Sequence, residues 1–343
     1  MQMALSNNSL HSCVRPALNG VRCFQEWSEV MKEPVKSSYK ITNWRKYNES
    51  LVNRGSITFW FDEETLAHWE HDNAEVKVGR PFTFSDRAIE TLLVLRELFQ
   101  LPYRQTEGLG RSLLQLMQLD VPVPDFTSLA KRAAKLDIDL SVTRRSGSLH
   151  IVVDSTGLKV FGDGEWKVRK HGAGKHRTWR KLHLAINPQT QEIEAETLTE
   201  NSSIDSSQAP ALLEQIAGKV KSFRGDGAYD KWLVYNTLAE RGVTPIIPPQ
   251  KNAKIKRHGN SAAPTLPRDE AVRAIRKMGR AAWKRQVGYH QRSLAETAMH
   301  RMKTTFGGEL KNRNLDNQRT EARLRCKLLN YHVRLGLPPS TWN

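Results

Sequence analysis

A short apolar run that ends in a carboxylate most constrains what this chain can fold into. Leu149–Val153 is rich in β-branched residues and predicts a strand buried on both faces. Asp154 follows directly, so the pattern predicts a carboxylate at the end of a central strand. A buried carboxylate without a partner is costly, and a divalent cation would compensate its charge well. The run therefore predicts a sheet that carries a polar site at one edge.

The rest of the chain after residue 147 predicts an α/β layout, because strand patterns alternate with helical patterns. The predicted strands are Lys159–Val168, Leu182–Ile186, Glu192–Leu198, Lys221–Arg224 and Val243–Ile247. The predicted helices are Ser206–Ile216, Lys231–Arg241 and Arg268–Arg280. We assign residues 140–343 to one catalytic domain, with a basic loop at residues 250–268 that Gly and Pro interrupt.

The N-terminal part divides into a leader and a mainly helical region. Residues 1–36 mix Ser, Asn and Pro without any period, so we expect a poorly ordered leader, and Met31 is an alternative start to Met1. Residues 37–139 are expected to bind DNA. Within them we predict an aromatic cluster beside a strand at Ser56–Phe61.

Three helical patterns within residues 37–139 resemble a helix-turn-helix DNA reader. The helices are predicted at Asp86–Gln100, which Ser85 can cap, at Tyr103–Gln118 and at Thr127–Leu136. In the third helix, basic side chains share much of one side; they are Lys131, Arg132 and Lys135. A plain three-helix packing module with surface lysines is the alternative.

The charge of the chain points to a polyanion, most simply nucleic acid. Its 343 residues carry 53 Lys and Arg against 36 acids, a formal net charge of +17. Residues 166–183 hold seven Lys or Arg and no acid, and residues 251–303 hold 14 against three acids. Such density favours steeply salt-dependent DNA binding. From the first of these runs we single out Lys170, Arg180 and Lys181 as DNA-binding candidates.

Several classes of function are disfavoured. No window approaches 18 consecutive apolar residues, so we expect no membrane partner. The chain has no P-loop, which disfavours ATP use. Three cysteines without a Cys-x-x-Cys pair indicate a reducing, cytoplasmic setting, and the histidines do not have zinc-site spacing.

The stretch Gly288–Lys303 contains no proline or internal glycine and predicts a helix. One side of that helix gathers a carboxylate, a phenol and cations; these are Tyr289, Arg292, Glu296 and Lys303. The opposite side is apolar. The polar side suits a metal ion and a phosphodiester, and an ordinary solvated face is the alternative.

Three carboxylates follow predicted strands or lie on the predicted closing helix: Asp154, Asp226 and Glu296. Ligands gather at strand ends and adjacent helices in α/β sheets. Hard oxygen ligands select Mg²⁺, for which Mn²⁺ can substitute. We therefore predict that this acidic triad is catalytic and holds two metal ions.

The motifs around these residues resemble those of DDE transposases of bacterial insertion sequences, and most closely the insertion-sequence-five family. They are Val-Val-Asp154-Ser-Thr-Gly, Arg-Gly-Asp226-Gly-Ala-Tyr-Asp and Tyr289-x2-Arg292-x3-Glu296-x6-Lys303. The likeness runs from about Tyr39 to about Pro338.

The resemblance implies a ribonuclease-H-like catalytic fold and Mg²⁺-dependent cleavage at terminal inverted repeats, followed by joining of 3′ hydroxyls to target DNA. By position it makes the acidic triad the metal ligands, and Tyr289, Arg292 and Lys303 the residues that hold DNA. We expect a bacterial, nucleoid-associated DNA transposase that acts as a homodimer or higher homo-oligomer. A metal-dependent nuclease without strand transfer and a catalytically silent DNA-binding protein are the alternatives.

Overall fold

The computed structural model of the chain describes residues 39–57, 61–73, 79, 81–143, 147–162, 178–257, 264–338 and 340–342. The predicted leader and Lys170 lie outside these ranges. The chain divides into two compact units, each of which is described by itself. In the smaller unit, β1 (Tyr39–Ile41) and β8 (Ser340–Trp342) pair antiparallel, with Tyr39 opposite Trp342.

The larger unit, Arg45–Leu337, holds a mixed sheet and helices. Its strands are β2 (Leu149–Val160), β3 (Trp179–Ile186), β4 (Ile193–Glu200), β5 (Val220–Arg224), β6 (Thr244–Ile246) and β7 (Glu309–Leu310). The first helices are α1 (Trp44–Asn53), α2 (Glu63–Ala67), α3 (Asp86–Leu98), α4 (Tyr103–Leu116) and α5 (Phe126–Ala133). The later helices are α6 (Ala209–Glu214), α7 (Trp232–Glu240), α8 (Pro267–Met278), α9 (Arg280–Gln286), α10 (Ser293–Phe306) and α11 (Leu315–Leu335).

The sheet has the strand order β4-β3-β2-β5-β6, and β7 pairs with the end of β2. β3 runs antiparallel to both of its neighbours, β2 and β4, whereas β5 and β6 run parallel to β2. The longest strand, β2, therefore lies in the middle of the sheet. The predicted mixed α/β architecture is confirmed.

Each face of the sheet packs on its own hydrophobic cluster. One face, with Val152 and Leu184, packs against α10, α11 and the helices α3 to α5. We call α3, α4 and α5 the helical layer. The other face, with Ile151 and Val153, packs against α6 and α7. Alternate residues of β2 thus enter different cores, as the two-residue period of a strand requires.

Side-chain caps start two helices of the helical layer. The hydroxyl of Ser85 accepts a hydrogen bond from the backbone N–H of Ala88, and a carboxylate oxygen of Asp125 accepts from the backbone N–H of Thr127. Four hydrogen bonds, donated to Asp125 by the backbone N–H groups and hydroxyls of Thr127 and Ser128, hold its pKa far below its usual range. The three predicted helices are present, but a helix-turn-helix role stays a prediction.

Helix α11 is a finding that the sequence patterns did not predict. Its 21 residues contact both the sheet and the helical layer. Arg325 of α11 is 1% exposed and donates to Glu97 of α3 at 3.0 Å. The buried Glu321 accepts from Arg325 and from the backbone N–H of Lys311. This buried ion network, Glu97–Arg325–Glu321, fastens the helical layer to the rest of the unit.

The structure corrects the prediction that Asp154 ends a strand. β2 continues for six residues past Asp154, since Ser155–Lys159 pairs with β3 and the last two residues of β2 pair with β7. The predicted strand Ser56–Phe61 is wrong at its described ends, where Ser56 and Phe61 lie in no strand. None of the helices in the described ranges has the length and apolar character that crossing a membrane requires.

Candidate active site

Asp154 lies in the middle of the central strand, on the face that packs against α10. Asp154 and its neighbours on β2 pair with β3, with Asp154 opposite Leu184. One carboxylate oxygen accepts the backbone N–H of Ser155 at 2.9 Å. The half-buried carboxylate is therefore held by a rigid strand rather than by a loop.

Asp226 follows the end of β5, as predicted. It caps the 3₁₀ turn Gly227–Tyr229, with one carboxylate oxygen accepting the backbone N–H of Ala228 at 2.9 Å. The glycine before it has a packing reason. A Cβ on Gly225 would lie 2.8 Å from the ring of Tyr229, whereas a Cβ on Gly227 would meet only the carbonyl of Pro248 at 3.7 Å.

Glu296 lies in the first turns of α10, and Arg292 precedes that helix by one residue. The predicted single helix Gly288–Lys303 is corrected here, because Gly288 has a left-handed backbone and Tyr289–Arg292 form a 3₁₀ turn. The guanidinium of Arg292 donates to Asp154 at 2.6 Å and also to Glu296. It therefore bridges a strand carboxylate and a helix carboxylate.

The electrostatics place all three members of the acidic triad in one neighbourhood. Burial raises the pKa of Asp154 above its usual range, and the charges of Asp226 and Glu296 raise it further, against the opposing effects of Ser155 and Arg292. Burial would lower the pKa of Arg292, but the negative groups around it outweigh burial and raise it. Like charges of the triad thus oppose one another at Asp154, and the guanidinium of Arg292 compensates them.

Tyr289 and Lys303 occupy different surroundings. Burial and the nearby carboxylates raise the pKa of Tyr289, and Lys284 of α9 lies 4.7 Å from the centre of its ring. Lys303 is exposed two turns beyond Glu296, roughly 10 Å along the helix at 1.5 Å per residue. The structure joins Tyr289 to the triad and leaves Lys303 further along the same helix.

The donor set of the triad fits Mg²⁺ by its chemistry, since it consists of carboxylate oxygens from three separate elements. Among the residues that the structure describes, no group of three or more His, Cys, Asp or Glu side chains is arranged to hold a metal ion. The guanidinium of Arg292 instead contacts both Asp154 and Glu296. The cation that pairs with these two carboxylates is therefore the Arg292 guanidinium. A metal role for the triad stays a prediction.

The other described DNA-binding candidates lie on β3 and in or just after α5. Arg180 donates to Gln318 of α11 at 2.9 Å, and Lys181 donates to Asp205 at 3.0 Å. Lys131 of α5 is exposed, whereas Arg132 contacts Asp86 and lies over the ring of Phe82. Lys135 is also exposed, but it lies in a turn two residues after α5, which ends before the predicted Leu136. Their role in binding DNA stays a prediction.

Sequence reasoning missed Asp230, whose side chain is fully buried beside the site. Arg268 of α8 donates to it at 2.7 Å, and the backbone N–H of Gln250 donates at 2.9 Å. Burial alone would raise the pKa of Asp230, but these hydrogen bonds lower it. Asp230 therefore ties both ends of the basic loop to the end of β5. The sequence signal that could have indicated its role is its position four residues after Asp226, at the end of the same motif.

Comparison with known families decides where the chain belongs. Two family models, each described as a transposase DDE domain, match residues 52–163 and residues 145–331. The second match alone covers more than half of the chain. The chain belongs to the DDE transposases. The range 145–331 of this enzyme family includes all three residues of the acidic triad.

A solved structure also matches this DDE transposase. It is the Drosophila P element transposase strand transfer complex, with 14% identity and a TM-score of 0.27. The match covers 53% of this chain and 42% of that chain, so the present chain spans less than half of that protein's length. A TM-score this low does not establish a shared fold.

Proposed function

We propose that this DDE transposase binds the terminal inverted repeats of an insertion sequence, cleaves at the ends and joins the 3′ hydroxyls to target DNA. We also place it in the insertion-sequence-five group, with the mixed sheet as a ribonuclease-H-like core. The observation that carries the proposal is the bridge from Arg292 to Asp154 and Glu296, with Asp226 near enough for its charge to raise the pKa of Asp154. Chromosomal DNA as substrate implies work at the bacterial nucleoid.

Each member of the triad has a distinct task in this proposal. Asp154 provides a carboxylate fixed by the central strand, Asp226 one fixed by a capped turn, and Glu296 one carried by a helix. These residues would hold two Mg²⁺ or Mn²⁺ ions, which when bound supply activation of the hydroxyl nucleophile and stabilisation of the departing 3′ oxygen. Arg292 neutralises the carboxylates and is close enough to contact a phosphate instead.

The DNA contacts follow from the cations around this site. Tyr289, Arg292 and Lys303 would hold the DNA ends near the triad, and α5 would contact the inverted repeats. Joining two ends of one element favours a homodimer or a higher homo-oligomer on DNA. Light scattering of the protein with and without end DNA tests the assembly state.

The decisive experiment is a strand-transfer assay. Labelled DNA that carries the element's own ends is incubated with a supercoiled target and with Mg²⁺, Mn²⁺ or EDTA. We expect cleaved ends and joined products with either metal and none with EDTA. Glu296→Gln should abolish both products and leave end binding intact, whereas Glu214→Gln, an exposed glutamate at the end of α6, should behave as the wild type.

The products distinguish the alternatives. Metal-dependent cleavage without joined products would identify a nuclease and refute the transposase proposal. End binding without any metal-dependent product would identify a silent DNA-binding protein. A Glu296→Gln variant that still cleaves would remove this residue from the mechanism.

A further inference from the structure

A groove of about 950 Å³ lies where the helical layer meets the far end of the central strand. It is remote from the acidic triad along that strand, since Phe161 follows Asp154 by seven residues, roughly 24 Å at 3.4 Å per residue. We call it the Phe161 groove. The side chains that matter for its chemistry are Tyr103, Arg104, Phe126, Phe161, Lys311 and Arg313.

Aromatic rings form its most distinctive surface. Phe161 is 61% exposed although it directly follows a buried strand. Its backbone N–H donates to the carbonyl of Leu310 at 2.8 Å, so the exposed ring stands on a fixed backbone. The ring of Phe126 lines the same groove, with the guanidinium of Arg104 4.6 Å from its centre. Tyr103 adds a third ring, which Arg96 covers at 4.4 Å.

The charge of the groove has one sign. Among the described residues that line it, four are cationic and none is acidic. Arg96 is paired with the buried Glu97, and Lys311 donates to the carbonyl of Gln100 at 2.7 Å. Arg104 and Arg313 are exposed at the groove. Rings beside cations, without a carboxylate, match a planar base joined to a phosphate.

We propose that the Phe161 groove binds an unpaired nucleotide of single-stranded DNA. The base stacks on Phe161, and the neighbouring phosphates face Arg104 and Arg313. A duplex fits less well, because its bases are stacked on one another and leave no ring face for the aromatic side chains. The proposed site is separate from the acidic triad and needs neither metal nor cleavage.

The test uses a short single-stranded oligonucleotide that contains 2-aminopurine, whose fluorescence is quenched by stacking. Binding is measured in EDTA at moderate salt, so that the outcome is independent of end cleavage. Phe161→Leu keeps an apolar side chain but removes the ring, and should weaken binding about 5- to 150-fold with loss of quenching. Phe161→Trp should retain both. Phe99→Leu is the matched control, because Phe99 is 53% exposed and does not line the groove.

The cations are tested separately. Arg104→Gln with Arg313→Gln should lower the salt dependence of single-strand binding by a slope of about 1.4, the value for two phosphates. Lys219→Gln with Lys221→Gln removes two exposed lysines elsewhere and should not change the Phe161-dependent binding.

Three outcomes would overturn the proposal. Phe161→Leu could bind and quench as the wild type does, which would show that the ring takes no part. A duplex of the same sequence could compete equally well for the Phe161-dependent binding. Self-association at rising concentration that Phe161→Leu abolishes, without any change in single-strand binding, would identify a second copy of the chain as the occupant.

Discussion

At the scale of single residues, Arg292 explains how two carboxylates of the acidic triad can lie close together. Its guanidinium contacts Asp154 of a strand and Glu296 of a helix, two residues that are 142 positions apart in the sequence. An arginine is suited to this because its planar, permanently charged group can bind two carboxylates together. The same charge would have to leave the space between these carboxylates before a metal ion could enter.

Arg292→Gln should therefore destabilise the metal-free protein and increase its response to Mg²⁺. Without the guanidinium the carboxylates repel one another, and a bound cation then relieves more repulsion than in the wild type. Thermal unfolding in EDTA and in Mg²⁺ measures the difference. Lys303→Gln removes an exposed cation from α10, the helix that follows Arg292, and is the control. An equal Mg²⁺-induced rise in Tm for wild type and Arg292→Gln would contradict this prediction.

Gly225 and Gly227 flank Asp226 and offer a matched pair. Gly225→Ala should destabilise the fold by about 1 to 3 kcal/mol, because the new Cβ would overlap the buried ring of Tyr229. Gly227→Ala should be nearly neutral, because its Cβ has ordinary contact distances. Urea unfolding of both variants measures the effect. Equal stability of the two would show that the Tyr229 ring moves aside at no cost.

At the scale of elements, α11 carries more of the structure than its sequence indicates. Arg325 and Glu321 are buried in it, and the amide of Asn330 donates to the carbonyl of Ile193 at 2.9 Å and accepts its N–H at 2.7 Å. These polar side chains interrupt the apolar period that would otherwise reveal a buried helix. Their partners are distant in sequence, so only the folded structure shows why they are buried.

Arg325→Met should destabilise the unit by roughly 3 to 5 kcal/mol, because it leaves Glu321 buried without its cation and leaves Glu97 with Arg96 alone. Arg319→Met, one and a half turns earlier in α11, should cost at most about 1 kcal/mol, because its pair with Asp316 is 55% exposed. Chemical denaturation compares the two. Similar stabilities would mean that the buried carboxylates find other compensation.

The exposed lysines in and just after helix α5 are predicted to contact DNA. Lys131→Ala with Lys135→Ala should weaken binding to the inverted repeats and lower the salt slope by about 1.8, as expected for two lost phosphate contacts. Binding measured across a salt series gives both quantities. Lys219→Ala with Lys221→Ala serves as the control, since both lysines are exposed on another element. Unchanged binding by the α5 variant would leave the helical layer with a packing role only.

The central strand shows where sequence reasoning succeeded and where it stopped. The apolar run Leu149–Val153 predicted a buried strand, and Asp226 lies after β5 as predicted, because these patterns are local. The apolar run ends at Asp154, but the strand continues to Val160. Beyond it, Ser155–Lys159 is half-buried and gains its strand geometry from pairing with β3, which no local pattern reports. The bridge from Arg292 to Asp154 likewise depends on how α10 lies against the sheet.

At the scale of the whole molecule, the larger unit has one continuous hydrophobic cluster from the helical layer to the sheet. Buried side chains of α3, such as Ile89 and Leu92, belong to the same cluster as Leu184 of β3. The predicted domain boundary near residue 140 stays a prediction. Residues on both sides of that boundary belong to this one cluster.

The shared cluster predicts that the helical layer and the sheet unfold together. Calorimetry should give one main transition for Arg45–Leu337, because neither part keeps its core when the other unfolds. Hydrogen exchange in denaturant should then give α3 and β3 amides the same opening free energy. Two transitions, or much weaker protection in α3 than in β3, would instead support two independent domains.

The position of α11 in the chain also affects how the protein is made. The helical layer leaves the ribosome early, whereas α11, which covers part of its core, is synthesised last within the larger unit. Between Leu98 and Leu335 a ribosome needs roughly 10 to 50 s at about 5 to 20 residues per second. During that time α11 does not cover the apolar side chains of α3. The nascent chain therefore completes its core only after its last long helix has left the ribosome.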